Sequence, residues 1–336
     1  MSDPLSPDSR PPPRRRCNEA APLALKRSRG DTATGQSGRQ QISPAHYLSP
    51  VRISTWNVNS VKQRVPRLLP WLDQRAPDVV CLQELKLTEE AFGELLGAEL
   101  EARGYAWAAL GEKSWNGVAI LSRVGLEDVE AGLAGGPGFP HQEARALAAT
   151  CGGVRVHSLY VPNGRVPDSD HYAYKLEWLE ALREAIAKGP ADAVVCGDMN
   201  IAPADADVFD PAAYVGHTHV TPPERNALNA LVGLGLRDVV RERWPDQQVF
   251  TYWDYRAGMF HKNLGMRIDL ILATAPVADR VRAAWVDRQA RKGTGPSDHA
   301  PVMVDLDTAP DGDIGPMIPP PSAGAPRGRA KLPQSE

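Results

Sequence analysis

An α/β domain built from two face-packed β-sheets with helices on the outside is the fold class that this sequence predicts. Three observations carry it. Short runs rich in β-branched residues alternate with helical stretches between residues 51 and 307. Several runs alternate strictly: in Arg267–Ala273, the side chains of Ile268, Leu270 and Leu272 share one face. One-sided burial of that kind belongs to mixed or antiparallel sheets packed face to face. Finally, 42% of the chain is hydrophobic, and the 257 residues from 51 to 307 are enough for a large core.

The elements follow in order. Val51–Trp56 is the first expected strand, with a helix over 60–75 and a strand over Asp78–Gln83 behind it. A helix over 88–103 is closed by Gly104. Strands Gly117–Ser122 and Val154–Tyr160 come next, then a helix over 172–188 stopped by Gly189-Pro190. Strand Ala193–Cys196, a helix over 224–234 and strands Arg267–Ala273 and Pro301–Leu306 complete the series. There is no internal repeat and no GxGxxG or Walker pattern, so nucleotide-cofactor folds have no positive support.

Charge and composition narrow the function. The chain has 336 residues, with 38 Lys and Arg against 41 Asp and Glu. Residues 1–50 hold eight basic and four acidic side chains, whereas residues 51–307 hold 27 and 34, a net of −7. The middle therefore binds no partner by bulk charge. Fifteen of the 31 prolines lie in 1–50 and 308–336, and neither end has a sustained hydrophobic period. This composition predicts disordered extensions around a domain at 51–307. The run Arg14-Arg15-Arg16 reads as a solvated tail or as a patch that sticks to DNA. No apolar run approaches the roughly 18 residues of a membrane span, and no signal peptide is evident. Cys17, Cys81, Cys151 and Cys196 form no CxxC pair, and the last three sit in apolar runs. They are expected to be reduced thiols of a cytoplasmic protein.

Chemistry collects at strand ends. Val51–Trp56 runs into Asn57-Val58-Asn59, Asp78–Leu82 into Gln83-Glu84, Val154–Leu159 into Tyr160-Val161-Pro162-Asn163, and Ala193–Cys196 into Gly197-Asp198-Met199-Asn200. Ser297-Asp298-His299 precedes the last strand. An α/β scaffold assembles a site from distant segments in this way. The set Asn57, Glu84, Asp198, Asn200 and Asp298 is rich in oxygen, which suits Mg²⁺ or Mn²⁺ and not zinc. Each piece alone has an ordinary reading. Gln-Glu ends many solvated strands, and Gly-Asp-Met-Asn suits a plain turn. Asp269 is harder to dismiss, because it sits in an apolar alternating run and needs a partner, for which a histidine is expected. His217 and His219 form a His-x-His with no third ligand nearby, so a structural loop is expected there.

Trp56-Asn57-Val58-Asn59, Leu82-Gln83-Glu84, Leu159 to Gly164, Gly197-Asp198-Met199-Asn200, Gly265-Met266-Arg267-Ile268-Asp269 and Ser297-Asp298-His299 resemble, in order, the motifs of the exonuclease III family. Trp115 to Ala119, Thr221 to Arg225 and Thr251 to Arg256 agree with it too. That family comprises Mg²⁺-dependent apurinic/apyrimidinic endonucleases of base-excision repair. The resemblance implies a four-layer α/β sandwich of the endonuclease/exonuclease/phosphatase type, two packed mixed β-sheets flanked by helices. It implies hydrolysis 5′ to abasic sites and 3′→5′ exonuclease action on duplex DNA, by a monomer. A small-molecule phosphatase and a catalytically dead binding protein are the rival readings. The Tyr160–Asn163 and Tyr252–Arg256 segments argue against the first, and the presence of Glu84, Asp198 and His299 argues against the second.

The same resemblance assigns roles. Asp198 activates water and Asn200 supports it. Glu84 is the principal metal ligand, with Asn57, Asp198, Asn200, Asp298 and His299 in the same coordination region. His299, oriented by Asp269, meets a phosphate oxygen, as do Tyr160 and Asn163. Tyr252, Met266 and Ile268 would line a pocket for an abasic sugar, although core packing also explains Ile268. Trp115, Asn116 and Arg165 fall in segments that contact DNA; Arg165 reads equally as an exposed loop residue. Lys62, Arg64 and Arg67 would meet phosphates or form a solvated helix face. Some relatives carry Asp where this chain has Asn59, so a metal site with less negative charge, needing millimolar Mg²⁺, is expected. The ordered pattern starts abruptly at Val51, which suggests the hypothesis that translation begins there, since a GTG codon for valine can initiate in bacteria. A peptide from residues 17–26 in the mass spectrum of the native protein would overturn it. Deleting residues 1–50 is expected to leave incision intact and at most to reduce the salt dependence of binding.

Overall fold

The computed structural model describes residues 51–308. The expectations for residues 1–50 and for the tail beyond Thr308 lie outside the described residues. In chain order the strands are β1 (Val51–Asn57), β2 (Val79–Gln83), β3 (Ala106–Leu110), β4 (Val118–Ser122), β5 (Glu127–Ala131) and β6 (Ala146–Cys151). They continue with β7 (Val154–Tyr160), β8 (Ala193–Asp198), β9 (Leu236–Asp238), β10 (Asp269–Thr274), β11 (Val281–Val286) and β12 (Val302–Leu306). The principal helices are α1 (Val61–Arg75), α2 (Glu89–Ala102), α3 (Asp170–Ala187) and α4 (Pro222–Val232). Every expected strand and helix is present, with ends within two residues of the expected ones.

The strands form two six-stranded sheets, ordered β11-β12-β1-β2-β4-β3 and β5-β6-β7-β8-β10-β9. Each sheet has one parallel pair at its centre, β1 with β2 and β7 with β8. Helices α1 and α3 make those two crossovers, and the other pairings are antiparallel. Both sheets are thus mixed, as expected.

Three apolar layers hold the sandwich. Between the sheets, Val51, Ile53, Val79 and Ile120 meet Leu147, Val156, Val194 and Ile271. Outside the first sheet, Trp56, Val80 and Leu82 pack under Leu68, Leu72, Phe92 and Leu96 of α1 and α2. Outside the second, Leu159, Val195, Leu270 and Leu272 pack under Trp178, Leu182, Leu228 and Leu231 of α3 and α4. The described cysteines, Cys81, Cys151 and Cys196, are free thiols in the inter-sheet layer.

The one-sided burial expected for Arg267–Ala273 does not hold. Leu270 and Leu272 face the helices while Ile271 and Ala273 face the other sheet, and both sides are buried. Helices cover the outer face, so alternation sorts the residues between two apolar layers and not between core and water. Arg267 is buried too, because its guanidinium meets Asp207 at 2.6 Å and Asp238 at 2.7 Å.

Five strands escape the sequence pattern. β3 and β6 are alanine-rich, β5 is charged, β9 has three residues, and β11 reads Val-Arg-Ala-Ala-Trp-Val. They are strands because a partner offers a hydrogen-bonding edge, which local propensity does not encode. In the opposite sense, Pro66 and Pro70 lie inside α1. Both are exposed, on the side of α1 away from the sheet.

Helix α4 starts with Thr221 and Glu224 in a reciprocal capping box, with prolines at its first two positions. Glu224 also receives the ammonium of Lys175 from α3 at 2.5 Å, and neither side chain is exposed. Burial pushes the Glu224 carboxyl up, but the Lys175 ammonium, with hydrogen bonds from Thr218 and Thr221, holds it at about 2. Glu224→Gln would leave Lys175 buried without a counter-charge. It is expected to cost about 3–5 kcal/mol at neutral pH, read as a lower urea midpoint at unchanged slope. The carboxylate contributes fully above its ordinary value of 4.5 and less as pH falls toward 2. The gap between wild type and variant should therefore narrow in acid.

Candidate active site

The two central parallel pairs end on the same side of the sandwich, and the candidate residues sit just past those ends. Asn57 closes β1 opposite Gln83 of β2, which places Glu84 beside it. In the other sheet Asp198 closes β8 between Tyr160 of β7 and Asp269 of β10. Gly197 is required there: a Cβ on it would lie 1.9 Å from the Leu159 carbonyl oxygen. Close approach of β7, and not turn propensity alone, fixes the glycine of Gly197-Asp198-Met199-Asn200.

Backbone turns aim the side chains. Asn59, Glu84, Lys86, Asn116, Arg165 and Asn200 all have left-handed φ, between 43° and 55°. Such residues cost about 1–3 kcal/mol each and persist only where their surroundings hold them. Around Glu84, Ser60 N–H donates to its carbonyl at 2.8 Å and Lys86 N–H donates to Asn116 O at 2.9 Å.

The side chains then converge from both sheets. The amide of Asn57 donates to Glu84 and to Asp198, both at 2.9 Å. Asn200 N–H donates to Asp198 Oδ1 at 2.9 Å. His299 Nδ1 meets Asp269 Oδ2 at 2.8 Å, and its Nε2 stands 3.8 Å from Asp198 Oδ2. Among the described residues, Glu84, Asp198 and His299 bring one ligand atom each within 4.8 Å of one another. Two carboxylates at the focus of buried amides suit a hard divalent cation. Asp298 lies at the edge, where Asn59 Nδ2 donates to it at 3.1 Å.

Burial governs the charges. It raises the Asp198 carboxyl to about 7, against the opposing pull of His299. For His299, burial pushes down, but Asp269 and then Asp198 prevail and lift it to about 10. Asp269 explains why: its Oδ1 is buried without a hydrogen bond, so His299 is the cation that meets its charge. Burial and the carboxylates of Glu84 and Asp198 raise the Tyr160 phenol well above its usual range, so it stays a neutral donor.

The residues expected to meet DNA separate into groups. Trp115 is 70% exposed and projects from the loop that packs on the Glu84 turn. Its neighbour Asn116 is buried, and its amide is held by Glu112 at 2.6 Å and Glu143 at 3.2 Å. Arg165 is exposed. Asn163 is exposed as well and donates to Asn200 Oδ1 at 3.3 Å. Tyr252 lies with its ring 4.9 Å from that of His299. Met266 and Ile268 are buried in an apolar cluster with Ala202, Val208 and Tyr214, and Tyr252 sits at its edge. Arg64 and Arg67 form no solvated face: Arg64 donates to the Tyr255 hydroxyl at 2.8 Å, and Arg67 to the carbonyls of Ala290 and Lys292. His219 is held by Asn200 O and Glu224, while His217 is exposed, so the two do not converge on a metal.

Sequence reasoning missed Lys86 and Thr251. Lys86 meets Glu84 at 2.9 Å and donates to Asn59 Oδ1 at 2.6 Å. Thr251 Oγ1 accepts the N–H groups of Ile268 and Asp269, both at 3.1 Å. The Lys86–Asn59 and Thr251 contacts leave no sequence signal because they span segments far apart in the chain, whereas Lys86 beside Glu84 was legible only as a neighbouring charge.

A family model described as the endonuclease/exonuclease/phosphatase family matches residues 54–299, from β1 to His299. The chain belongs to that family. The exodeoxyribonuclease of Bacillus subtilis (strain 168) is 28% identical over 261 residues, 75% of this chain and 98% of that protein. Among solved structures, the 3′ phosphatase NExo from Neisseria bound to product DNA hairpin is 39% identical, with TM-score 0.73. An AP endonuclease from Archaeoglobus fulgidus is 38% identical, with TM-score 0.72. Each covers 77% of this chain and 100% of its own. No helix among the described residues is long and apolar enough to cross a membrane.

Replacing Asp269 tests the electrostatic account. Asp269→Ala is expected to lower the His299 titration from about 10, since burial then acts with one fewer opposing carboxylate. A ¹⁵N NMR titration of the imidazole reads it.

Proposed function

We propose that this member of the family is a metal-dependent DNA repair nuclease. It acts as a 3′→5′ exodeoxyribonuclease and as an endonuclease cutting 5′ to abasic sites in duplex DNA. The observation that carries the reading is the convergence of Glu84, Asp198 and His299 from both sheets, in a chain whose relatives include an exodeoxyribonuclease, an AP endonuclease and a DNA 3′ phosphatase.

Phosphodiester hydrolysis requires an activated water and positive charge around the phosphoryl oxygens. Asp198, raised toward neutral pH by burial, orients the attacking water and takes its proton. Asn200 fixes Asp198 through its backbone N–H. His299, kept cationic by Asp269, faces a non-bridging oxygen. The Tyr160 phenol and the Asn163 amide donate to the same phosphate. Glu84 and Asp198 would hold Mg²⁺, for which Mn²⁺ would substitute, with Asn57 and Asp298 in the surrounding shell. When bound, the ion supplies Lewis-acid stabilisation of developing negative charge. Asn59 in place of an acid keeps an amide donor on Asp298 and an acceptor on Lys86. Trp115, Arg165 and Tyr252 are the accessible candidates for DNA contact, and Tyr252 with the Met266 and Ile268 cluster forms the apolar wall beside His299. A monomer suffices for this chemistry, and the buried free thiols suit a reducing cytoplasm.

A labelled duplex with one abasic site, with Mg²⁺ and with EDTA, is the direct test. Incision that requires the metal is expected; no incision, or incision unaffected by EDTA, would refute the reading. Asp198→Asn and His299→Ala should each lose at least about 10²–10³ in rate with melting curves near wild type. Unchanged turnover in either variant would remove that residue's role.

A further inference from the structure

A second cationic site lies behind the loops that frame the catalytic centre. A cavity of about 410 Å³ is lined by Tyr255, Phe260, Arg288, Arg291 and Lys292, among others. That volume falls within the roughly 300–1,000 Å³ of small-ligand pockets. Its walls belong to the segments that build the site: Trp253 N–H donates to Asp298 O, and Tyr255 O–H donates to Pro296 O. One side of these segments sets Tyr252 against His299, and the other turns Tyr255 toward the cavity.

Among the described residues no carboxylate forms an ion pair with either of its arginines, although Asp254 and Asp298 lie near enough to act on Arg291. Arg288 Nη2 donates to Phe260 O at 3.1 Å and to Asn263 Oδ1 at 3.4 Å, and Arg291 Nη2 donates to Trp253 O at 3.0 Å. The Nε of each is buried with no partner. Arg291 is only 6% exposed. Both guanidiniums lie against the same Phe260 ring, at 4.4 Å and 5.0 Å from its centroid. The lining acid, Asp254, is already paired with Arg256 at 2.8 Å. Arg291 is buried and Arg288 half-buried, and two like charges against one ring are costly unless something negative is seated beside them. A planar guanidinium pair matches a phosphoryl group in charge and geometry, and the half-exposed Tyr255 ring offers a surface for a sugar or base.

We propose that this cavity is a phosphate subsite, separate from the reacting centre, in which Arg288 and Arg291 seat one backbone phosphate of the bound DNA. The identity of the occupant rests on the nuclease reading, whereas the affinity for a phosphoryl group does not.

Two measurements on the full chain in EDTA, where no turnover occurs, test it. In the first, inorganic phosphate is titrated while the arginine side-chain Nε–H signals are followed by NMR. The Arg288 and Arg291 signals are expected to shift together and to saturate. In the second, duplex binding is measured by anisotropy across salt concentrations for wild type, Arg288→Gln and Arg288→Lys, with melting curves to establish folding. Arg288→Gln should weaken binding several-fold for every sequence tested and lower the salt slope by about 1. Arg288→Lys should recover most of that slope. Phosphate shifts with an unchanged slope in a folded Arg288→Gln would overturn the DNA seat and leave a free phosphate compound as occupant. No phosphate shift and no change of slope would overturn the subsite altogether. If wild type binds no duplex while phosphate still moves the signals, the nuclease reading fails and the anion subsite stands without DNA.

Discussion

The candidate site depends on a hydrogen bond that crosses between the two sheets: the Asn57 amide donates to Asp198. It spans 2.9 Å and tolerates errors of only a few tenths of an ångström. A shift of the sheets by one side-chain repeat would move the strand ends by about 7 Å and separate them. The inter-sheet layer of Val, Ile, Ala and Cys side chains prevents that shift, because close-packed layers have few alternative registers. The same amide reaches Glu84 from its own sheet, so one side chain ties both carboxylates to the core.

Charge in the site is managed locally. Residues 51–307 carry a net of −7, which at first argues against a partner as acidic as DNA. The balance near the centre is different. Asp269 is answered by His299, Glu84 by Lys86, and Glu224 behind the site by Lys175. Arg64, Arg67, Arg288 and Arg291 bond to carbonyls and a hydroxyl on the loops beside it, with no direct ion pair to an acid among the described residues. Bulk charge therefore says little about what this surface binds, since the field at a phosphate depends on the few groups within a Debye length.

Irregular backbone also shapes the site. Asn59 and Ser60 after β1, Glu84 and Lys86 after β2, and Asn200 after β8 all take left-handed φ. Each turn is clamped by hydrogen bonds to a neighbouring turn, so their conformations are mutually dependent. Helix α3 contributes from below: buried Lys175 donates to the carbonyls of both Asn163 and Asn200. Rigid side-chain placement thus comes from strained turns held by a well-packed frame.

Much of this was written in local sequence. Apolar runs and helical periods located the elements around which the sandwich is built, and polar residues past the strand ends marked Asn57, Glu84, Asp198, Asn200 and His299, because a short-range signal and its structural cause coincide there. The lone carboxylate in an apolar run marked Asp269 for the same reason: a buried charge demands a partner. What tertiary structure alone decided are the relations between distant segments. Alanine-rich β3 and β6 are strands only because a neighbour offers an edge, and alternation in β10 divides two apolar layers in place of core and water. Asn116, expected at DNA, turns inward to Glu112 and Glu143. Arg64 and Arg67, expected to meet phosphates or to form a solvated face, bond to the loops beside the site. Burial and partner choice depend on what the fold brings within a few ångströms, and a single chain read in order does not contain that distance.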